Sequence, residues 1–174
     1  EPLPDNVPLA TKMETTKDYM GDNMIFLTAS MRSVPVGYDY KGDLRWYSEH
    51  NFAFDIKRMP NGHILVGTER LVKMPYFTTG IYEMSFSGKV FKEYQSPIGG
   101  YHHDQFVMED GNILMLTFDM YSGTVEDVCV LLDKNTGKVL RKWDYKDVLP
   151  QYPTAGSGSQ TEEDWFHNNA VWYD

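Results

Sequence analysis

Residues 54–65 and residues 103–114 carry the same pattern of residues twice in one chain. The first stretch reads FDIKRMPNGHIL and the second reads HDQFVMEDGNIL. An Asp, a Met, a Gly and an Ile-Leu pair therefore recur at an offset of 49 residues, and a third copy, HNNAVWYD, begins at His167. A fixed period near 50 residues is typical of stacked or radial repeat folds. We expect this chain to be part of a larger repeat domain.

The residues between these copies predict β-strands joined by tight turns. Runs rich in Val, Ile, Phe, Tyr and Thr alternate with the turns PNGH, FSGK, EDGN and KNTG, in which Gly, Asn or Asp supplies a positive φ. The spacing predicts strands over 52–59, 63–70, 80–85 and 89–95, and again over 102–108, 112–119, 125–133 and 138–145. Four antiparallel strands per unit at this period predict an all-β fold, a β-propeller of four-stranded antiparallel blades, with about half a ring in this chain.

The repeat also predicts how the chain is divided. We expect a lead-in segment over 1–22 and a blade without its first strand over 23–48. Two blades follow over 51–96 and 101–145. A loop insertion over 146–164 then leads to the start of a further blade over 165–174. The insertion begins with KDVLP, which suggests a short helical turn, and continues as a Gly/Ser/Pro-rich loop on either a binding face or an ordinary surface. Incomplete blades leave open sheet edges, so we expect this piece to need the missing C-terminal half of the propeller or to associate, for example as a homodimer.

Composition excludes some classes of partner. A net charge of −9 disfavours nonspecific binding to nucleic acid or anionic lipid. No apolar run approaches the roughly 20 residues of a membrane-spanning helix. Cys129 is the single cysteine and lies in the apolar run VCVLL, so we interpret it as a buried core residue.

Two histidines stand at matched positions of the repeat. The first strand of a propeller blade lines the central channel, and the copies begin with Phe54, His103 and His167. Two imidazoles at equivalent positions of neighbouring blades would face each other at the channel mouth, which makes His103 and His167 candidate catalytic residues. Strand alternation should send His102 and His103 to opposite faces, and the match with His167 favours His103 as the one that faces the channel. The alternative is a structural role for these histidines within the blades.

Other site types have weaker support in the sequence. Asp55, Asp104 and Asn168 share one repeat position and are expected to bond backbone between blades. His102-His103-Asp104 alone offers too few ligands for a zinc site, so we predict no metal. The carboxylates of 162–164 are interpreted as a solvated loop. No glycine-rich phosphate loop or serine nucleophile motif is present in the sequence.

The segments YHHDQFVMEDGNILMLT and DWFHNNAVWYD resemble the bacterial arylsulfate sulfotransferases, and the likeness covers residues 20–174. The resemblance implies a six-bladed β-propeller in a periplasmic, secreted or cell-surface bacterial protein. It also implies an enzyme that moves a sulfuryl group from a phenolic sulfate ester to an acceptor phenol, without the nucleotide donor PAPS or another cofactor. One histidine of the family becomes transiently sulfated.

The resemblance assigns site residues only in part. His103 and His167 match two histidines of the family's channel, and Asn169 matches its asparagine. His102, Tyr101 and Trp165 lie beside these motifs and are candidate substrate-binding residues, although the two aromatic rings suit blade packing equally well. The nucleophilic histidine and an arginine of the family lie in later blades, beyond Asp174, so the fragment alone is expected to be inactive. Two alternatives remain: a non-enzymatic propeller that binds a protein or glycan, and a quinone- or metal-dependent propeller enzyme.

Overall fold

The computed structural model describes residues 2–10, 21–28, 33–52, 54–73, 75–149, 161 and 163–174. These residues form an all-β structure of three antiparallel sheets and one short hairpin. The first sheet holds β1 to β3 at Ile25–Leu27, Val36–Tyr38 and Leu44–Tyr47. The second holds β4, β5, β8 and β9 at Lys57–Arg58, Ile64–Gly67, Gly80–Met84 and Val90–Gln95. The short hairpin consists of β6 and β7 at Leu71–Lys73 and Phe77–Thr78, and it lies between β5 and β8 in sequence. The third sheet holds β10 to β13 at Gln105–Val107, Ile113–Thr117, Val128–Leu132 and Val139–Asp144.

The two four-stranded sheets repeat one arrangement, and the predicted all-β, propeller-like fold is confirmed. Their last strands, β9 and β13, both have six residues and lie 49 residues apart. The predicted turn glycines adopt the left-handed backbone, with φ of 84° at Gly62 and 85° at Gly111. We call the three sheets blades 1, 2 and 3 in chain order.

The first strand of each blade is shorter than predicted. β4 and β10 begin at Lys57 and Gln105 instead of at residues 52 and 102. The start of a further blade that is predicted over 165–174 forms no strand among the described residues. The physical reason lies at the start of each repeat, where a left-handed residue interrupts the extended backbone that a strand requires.

The core lies between blades, and strand alternation divides it. Ile64 and Val66 of β5 pack toward Trp46 of blade 1, while Leu65 packs with Ile113 of blade 3. β11 repeats this pattern, with Ile113 and Met115 in one cluster and Leu114 and Leu116 in another. Because both faces of these strands are buried, their sequences are continuous apolar runs.

Gln105 joins blades 2 and 3 at their inner edge. Its side chain is fully buried, and its amide nitrogen donates to the backbone oxygens of Asp55 at 3.2 Å and Leu65 at 3.1 Å. Its amide oxygen accepts a hydrogen bond from the Tyr101 hydroxyl. The prediction that Asp55, Asp104 and Asn168 bond backbone between blades is confirmed for Asp104, whose Oδ2 accepts from the Val171 amide of the third repeat at 2.9 Å. Asp55 Oδ1 instead accepts from the amide of Ile56 in its own blade.

The flanking segments pack on the blades they adjoin. Val7 of the lead-in segment is buried against Val34 and Val36 of blade 1. The predicted helical turn is present as a short 3₁₀ turn at Tyr145–Asp147. The rest of the predicted insertion falls largely at 150–160 and 162, which lie outside the described residues.

Strand order decides which loops meet. In an antiparallel meander, the residues before the first strand and the loop between the second and third strands lie at the same end of the sheet. The repeat starts at Phe54, His103 and His167 therefore share one end with the loops that carry Tyr76 in blade 2 and Glu126 in blade 3. The turn at 60–63 lies at the opposite end.

Replacing Gln105 by Leu should destabilise the protein by about 2–4 kcal/mol, because two backbone oxygens and a tyrosine hydroxyl would lose their buried partner. Denaturant unfolding of the variant checks this. Gln95→Leu is the control, because that side chain is exposed on β9. Equal stability of the two variants would contradict the inter-blade role of Gln105.

Candidate functional site

One backbone feature marks the start of each repeat. Phe54, His103 and His167 have φ values of 69°, 50° and 56°. Glu126, at 58°, is the fourth non-glycine residue with a left-handed φ in the described part of the chain. This conformation costs L-residues about 1–2 kcal/mol and persists where the surroundings hold it in place. All four residues lie in one cluster of side chains.

The left-handed turn brings His102 and His103 together. The Asp104 amide donates to the His102 carbonyl at 2.7 Å, which closes a three-residue turn centred on His103. The two imidazoles then approach through their Nδ1 atoms at 3.1 Å, and Nε2 of His102 lies 3.1 Å from the Thr117 carbonyl oxygen. The expectation that the two rings point to opposite faces is therefore wrong, because this segment is a turn and not a strand. His102 is fully buried, whereas the His103 side chain is 25% exposed.

Glu126 is the buried carboxylate at the centre of the cluster. Its Oε1 accepts from the Tyr76 hydroxyl, and its side chain is 1% exposed. Its Oε2 lies 3.0 Å from Nδ1 of His167, and its Oε1 lies 3.9 Å from Nδ1 of His103. The same Nδ1 of His167 lies 2.7 Å from Asp164 Oδ2. Glu126 thus connects the two predicted histidines.

Aromatic rings form the wall beside these polar groups. The rings of His103 and His167 have centroids 6.1 Å apart. The His103 ring lies 4.8 Å from the Phe54 ring and 5.2 Å from the Tyr76 ring. Phe54, the equivalent of His103 in the preceding repeat, therefore packs directly against it.

The surroundings move the two histidines toward opposite protonation states. Burial lowers the pKa of His103 to about 4, with the nearby His167 adding to the effect, and burial lowers the pKa of His102 to about 3. Burial also disfavours charge on His167, but Asp164 and Glu126 outweigh it and raise its pKa. Burial raises the pKa of Glu126, and the Asp164 charge adds to the effect. At neutral pH His103 is therefore neutral, whereas the neighbouring carboxylates shift His167 toward its protonated form.

The segment that carries His167 is fixed to the loop that carries Glu126. The Asn168 amide donates to the Glu126 carbonyl at 3.1 Å, and the Val125 amide donates to the Glu163 carbonyl at 2.9 Å. These backbone bonds hold the third repeat start against blade 3.

Of the predicted binding residues, two serve the packing around the site. Trp165 is buried, and its indole N–H donates to Asp127 Oδ2 at 2.9 Å. Tyr101 is fully buried, with its hydroxyl on Gln105 and its ring 5.8 Å from that of Phe54. Asn169 is exposed, two residues after His167. Their assigned roles in substrate binding stay predictions.

Sequence reasoning missed three members of the cluster. Tyr76 lies in the loop between the second and third strands of blade 2, and Glu126 lies in the predicted strand 125–133, which begins only at Val128. Asp164 was interpreted as part of a solvated loop, which is wrong, because its carboxylate contacts His167. A Glu-Asp pair directly before the apolar run VCVLL was the available signal for Glu126, since a carboxylate at the start of a buried strand needs a partner.

The geometry also offers two sets of metal-ligand atoms. One set is His102, His103 and Glu126, and the other is Glu126, Asp164 and His167, with the ligand atoms of each set within 4.8 Å of one another. The sequence showed only the histidine part of the first set. Imidazole and carboxylate ligands of this kind suit a divalent transition metal.

Comparison with known proteins decides the family. The family model described as Arylsulfotransferase (ASST) matches residues 9–174. The chain belongs to this family. A comparison with curated proteins found no match. A solved structure of a protein of unknown function from Bacteroides caccae is 16% identical, with a TM-score of 0.46, over 68% of this chain and 40% of that one. This chain therefore spans less than half the length of that protein.

Within the described ranges, this chain has no helix long and apolar enough to cross a membrane.

The left-handed backbone predicts an unusual order of stabilities at Phe54. Because glycine adopts φ of 69° without strain, Phe54→Gly should be at least as stable as Phe54→Ala. At Phe52, which is buried without a left-handed φ, the Gly variant should be less stable than the Ala variant by about 0.5–1 kcal/mol. Denaturant unfolding of the four variants measures both differences, and the same order at both positions would contradict the strain at Phe54.

The lowered pKa of His103 predicts instability in acid. Its folded-state pKa of about 4 lies below the ordinary value of 6.5, so the unfolded state binds more protons between these values and stability falls as the pH falls from 6.5 to 4. His103→Phe, which places the residue of the preceding repeat there, should reduce that loss by about 2–3 kcal/mol. Unfolding free energies at pH 7 and pH 4 test this, and an unchanged loss in the variant would contradict a buried neutral His103.

Proposed function

We propose that the protein containing this chain transfers a sulfuryl group from a phenolic sulfate ester to an acceptor phenol, through a sulfohistidine intermediate. The observation that carries the proposal is the pair of repeat-matched histidines that both lie beside the buried Glu126, one with a lowered pKa and one with a raised pKa. Pairs of titratable groups whose surroundings push their pKa values apart are typical of acid–base chemistry. Membership of the arylsulfotransferase family supports the same reaction class.

In this proposal His167 is the general acid. Asp164 Oδ2 accepts from Nδ1–H of His167, and Glu126 Oε2 lies 3.0 Å from the same nitrogen, so the Nε2–H is the proton available for transfer. When a histidine nitrogen attacks the sulfur, the S–O bond of the aryl sulfate breaks and the departing phenolate oxygen takes this proton. The acceptor phenol then gives its proton to a neutral imidazole of the pair His103 and His167. Its oxygen takes the sulfuryl group as the N–S bond breaks.

The remaining groups would bind the anionic and aryl parts of the substrate. We assign Asn169 to the sulfuryl oxygens, since an amide N–H aimed at developing charge stabilises the transition state. The rings of Phe54 and Tyr76 line one side of His103 and suit an aryl group. The chain supplies only part of the active site in this proposal. The nucleophilic histidine and an arginine would come from blades beyond residue 174, in a periplasmic or cell-surface protein, and this piece alone would be inactive.

A divalent metal site is the second candidate, favoured by the trio of His102, His103 and Glu126. It would make the protein a metal-dependent propeller enzyme. Elemental analysis of the purified full protein distinguishes the two, because stoichiometric metal lost in His102→Leu would favour the metal site.

The acid role of His167 predicts a dependence on the leaving group. In the full protein, His167→Ala should slow sulfuryl transfer from phenyl sulfate by about 10²–10⁴-fold. The effect on 4-nitrophenyl sulfate should be smaller, because 4-nitrophenolate is a weak base that departs without a proton. Steady-state rates with one acceptor phenol measure both effects.

His63→Ala is the matched control, because His63 lies in the turn between β4 and β5 at the opposite end of blade 2, bonded to Glu83. It should transfer sulfuryl groups at the parent rate. Equal losses with both donors in His167→Ala would refute the acid role, and unchanged turnover would refute sulfuryl transfer at this site.

A further inference from the structure

His102 is buried behind His103 and has no route of its own to a substrate. Its ring is fully buried, with one nitrogen on the Thr117 carbonyl and the other on His103. The ring of Phe77 packs edge-on at 5.8 Å. A buried imidazole with both nitrogens engaged in this way acts through the group that it contacts.

The Thr117 carbonyl fixes the position of the proton on His102. A carbonyl oxygen only accepts hydrogen bonds, so Nε2 of His102, at 3.1 Å, must carry the N–H. Burial keeps His102 neutral, so its Nδ1 has a lone pair and no proton. That lone pair faces Nδ1 of His103 at 3.1 Å.

The lone pair of His102 in turn fixes the proton on His103. A hydrogen bond between two nitrogens needs one N–H, which must belong to Nδ1 of His103. The Glu126 carboxylate oxygen, 3.9 Å from the same nitrogen, also favours a proton there. In neutral His103 the second nitrogen, Nε2, then has no proton.

We propose that His102 is a positioning residue that holds His103 in the tautomer with Nδ1 protonated and the Nε2 lone pair presented to the site. His103 is then a hydrogen-bond acceptor, so it recognises a donor and not a sulfuryl oxygen. In the reaction proposed above, on which this step rests, that donor is the hydroxyl of the acceptor phenol. Nε2 takes the hydroxyl proton as the phenol oxygen attacks, and releases it to solvent between turnovers, while His167 regains a proton from solvent.

Two substitutions separate this role from packing alone. His102→Leu removes the lone pair that faces His103. His102→Asn keeps a hydrogen-bond acceptor, because its amide oxygen lies near the position that Nδ1 occupies in histidine. Both are made in the full protein, and thermal unfolding verifies that each variant is folded.

The first readout is independent of activity. Nitrogen-15 spectra of the histidine rings should show His103 with a protonated Nδ1 and a bare Nε2 in the parent and in His102→Asn. They should show a mixture of tautomers in His102→Leu. A parent His103 that carries its proton on Nε2 would overturn the inference, whether or not the protein transfers sulfuryl groups.

The second readout separates the two half-reactions. The burst of 4-nitrophenolate from 4-nitrophenyl sulfate should keep its rate in His102→Leu, because that step does not use the His103 lone pair. Transfer from the sulfated enzyme to a phenol should fall by about 10-fold to 100-fold in kcat/KM, as is typical when the partner that orients a histidine is removed. His102→Asn should recover most of this loss. Equal losses in both half-reactions would overturn the assignment, whereas a parent protein without any burst would refute the proposed function and leave the tautomer test intact.

Discussion

A left-handed backbone at the start of each repeat is the constraint on which the rest of the site depends. At Phe54, His103 and His167 it interrupts the extended chain, and at the first two positions this lies just before the first strand of the blade. The residue at that position therefore turns toward its counterpart in the next blade, so that Phe54 touches His103 and His103 faces His167. Each such residue costs about 1–2 kcal/mol in backbone strain. The packing and hydrogen bonds between blades, with Gln105 among them, hold this geometry in place.

The second organising element is a single buried carboxylate. Glu126 is 1% exposed and reaches Tyr76 in blade 2, His103 in blade 3 and His167 in the third repeat. Such a group is stable only with partners. It brings together three segments that are distant in sequence, and it helps to raise the pKa of His167. One interaction thus contributes to both the assembly and the chemistry of the site.

The sequence predicted the fold well because its signals are local and repeated. The apolar runs of β5 and β11 and the turn glycines at Gly62 and Gly111 reflect backbone geometry within a few residues, and the chain repeats them at an offset of 49 residues. The short inner strands were predicted too long because a positive φ at a Phe or His has no sequence signature. The chain is a turn at His102 and His103, so strand alternation does not hold there and the predicted orientation of their rings is wrong.

The amino-acid sequence by itself determined the all-β repeat, its period, the family and the matched positions of His103 and His167, because these depend on residue order along one chain. Only the tertiary structure decided that Glu126, Asp164 and Tyr76 join these histidines, and that His102 and His103 share a hydrogen bond. The reason is physical: burial and charge act between groups brought together across loops, and these distances set each pKa. The same residues in other loops of the repeat would keep the fold and lose the site.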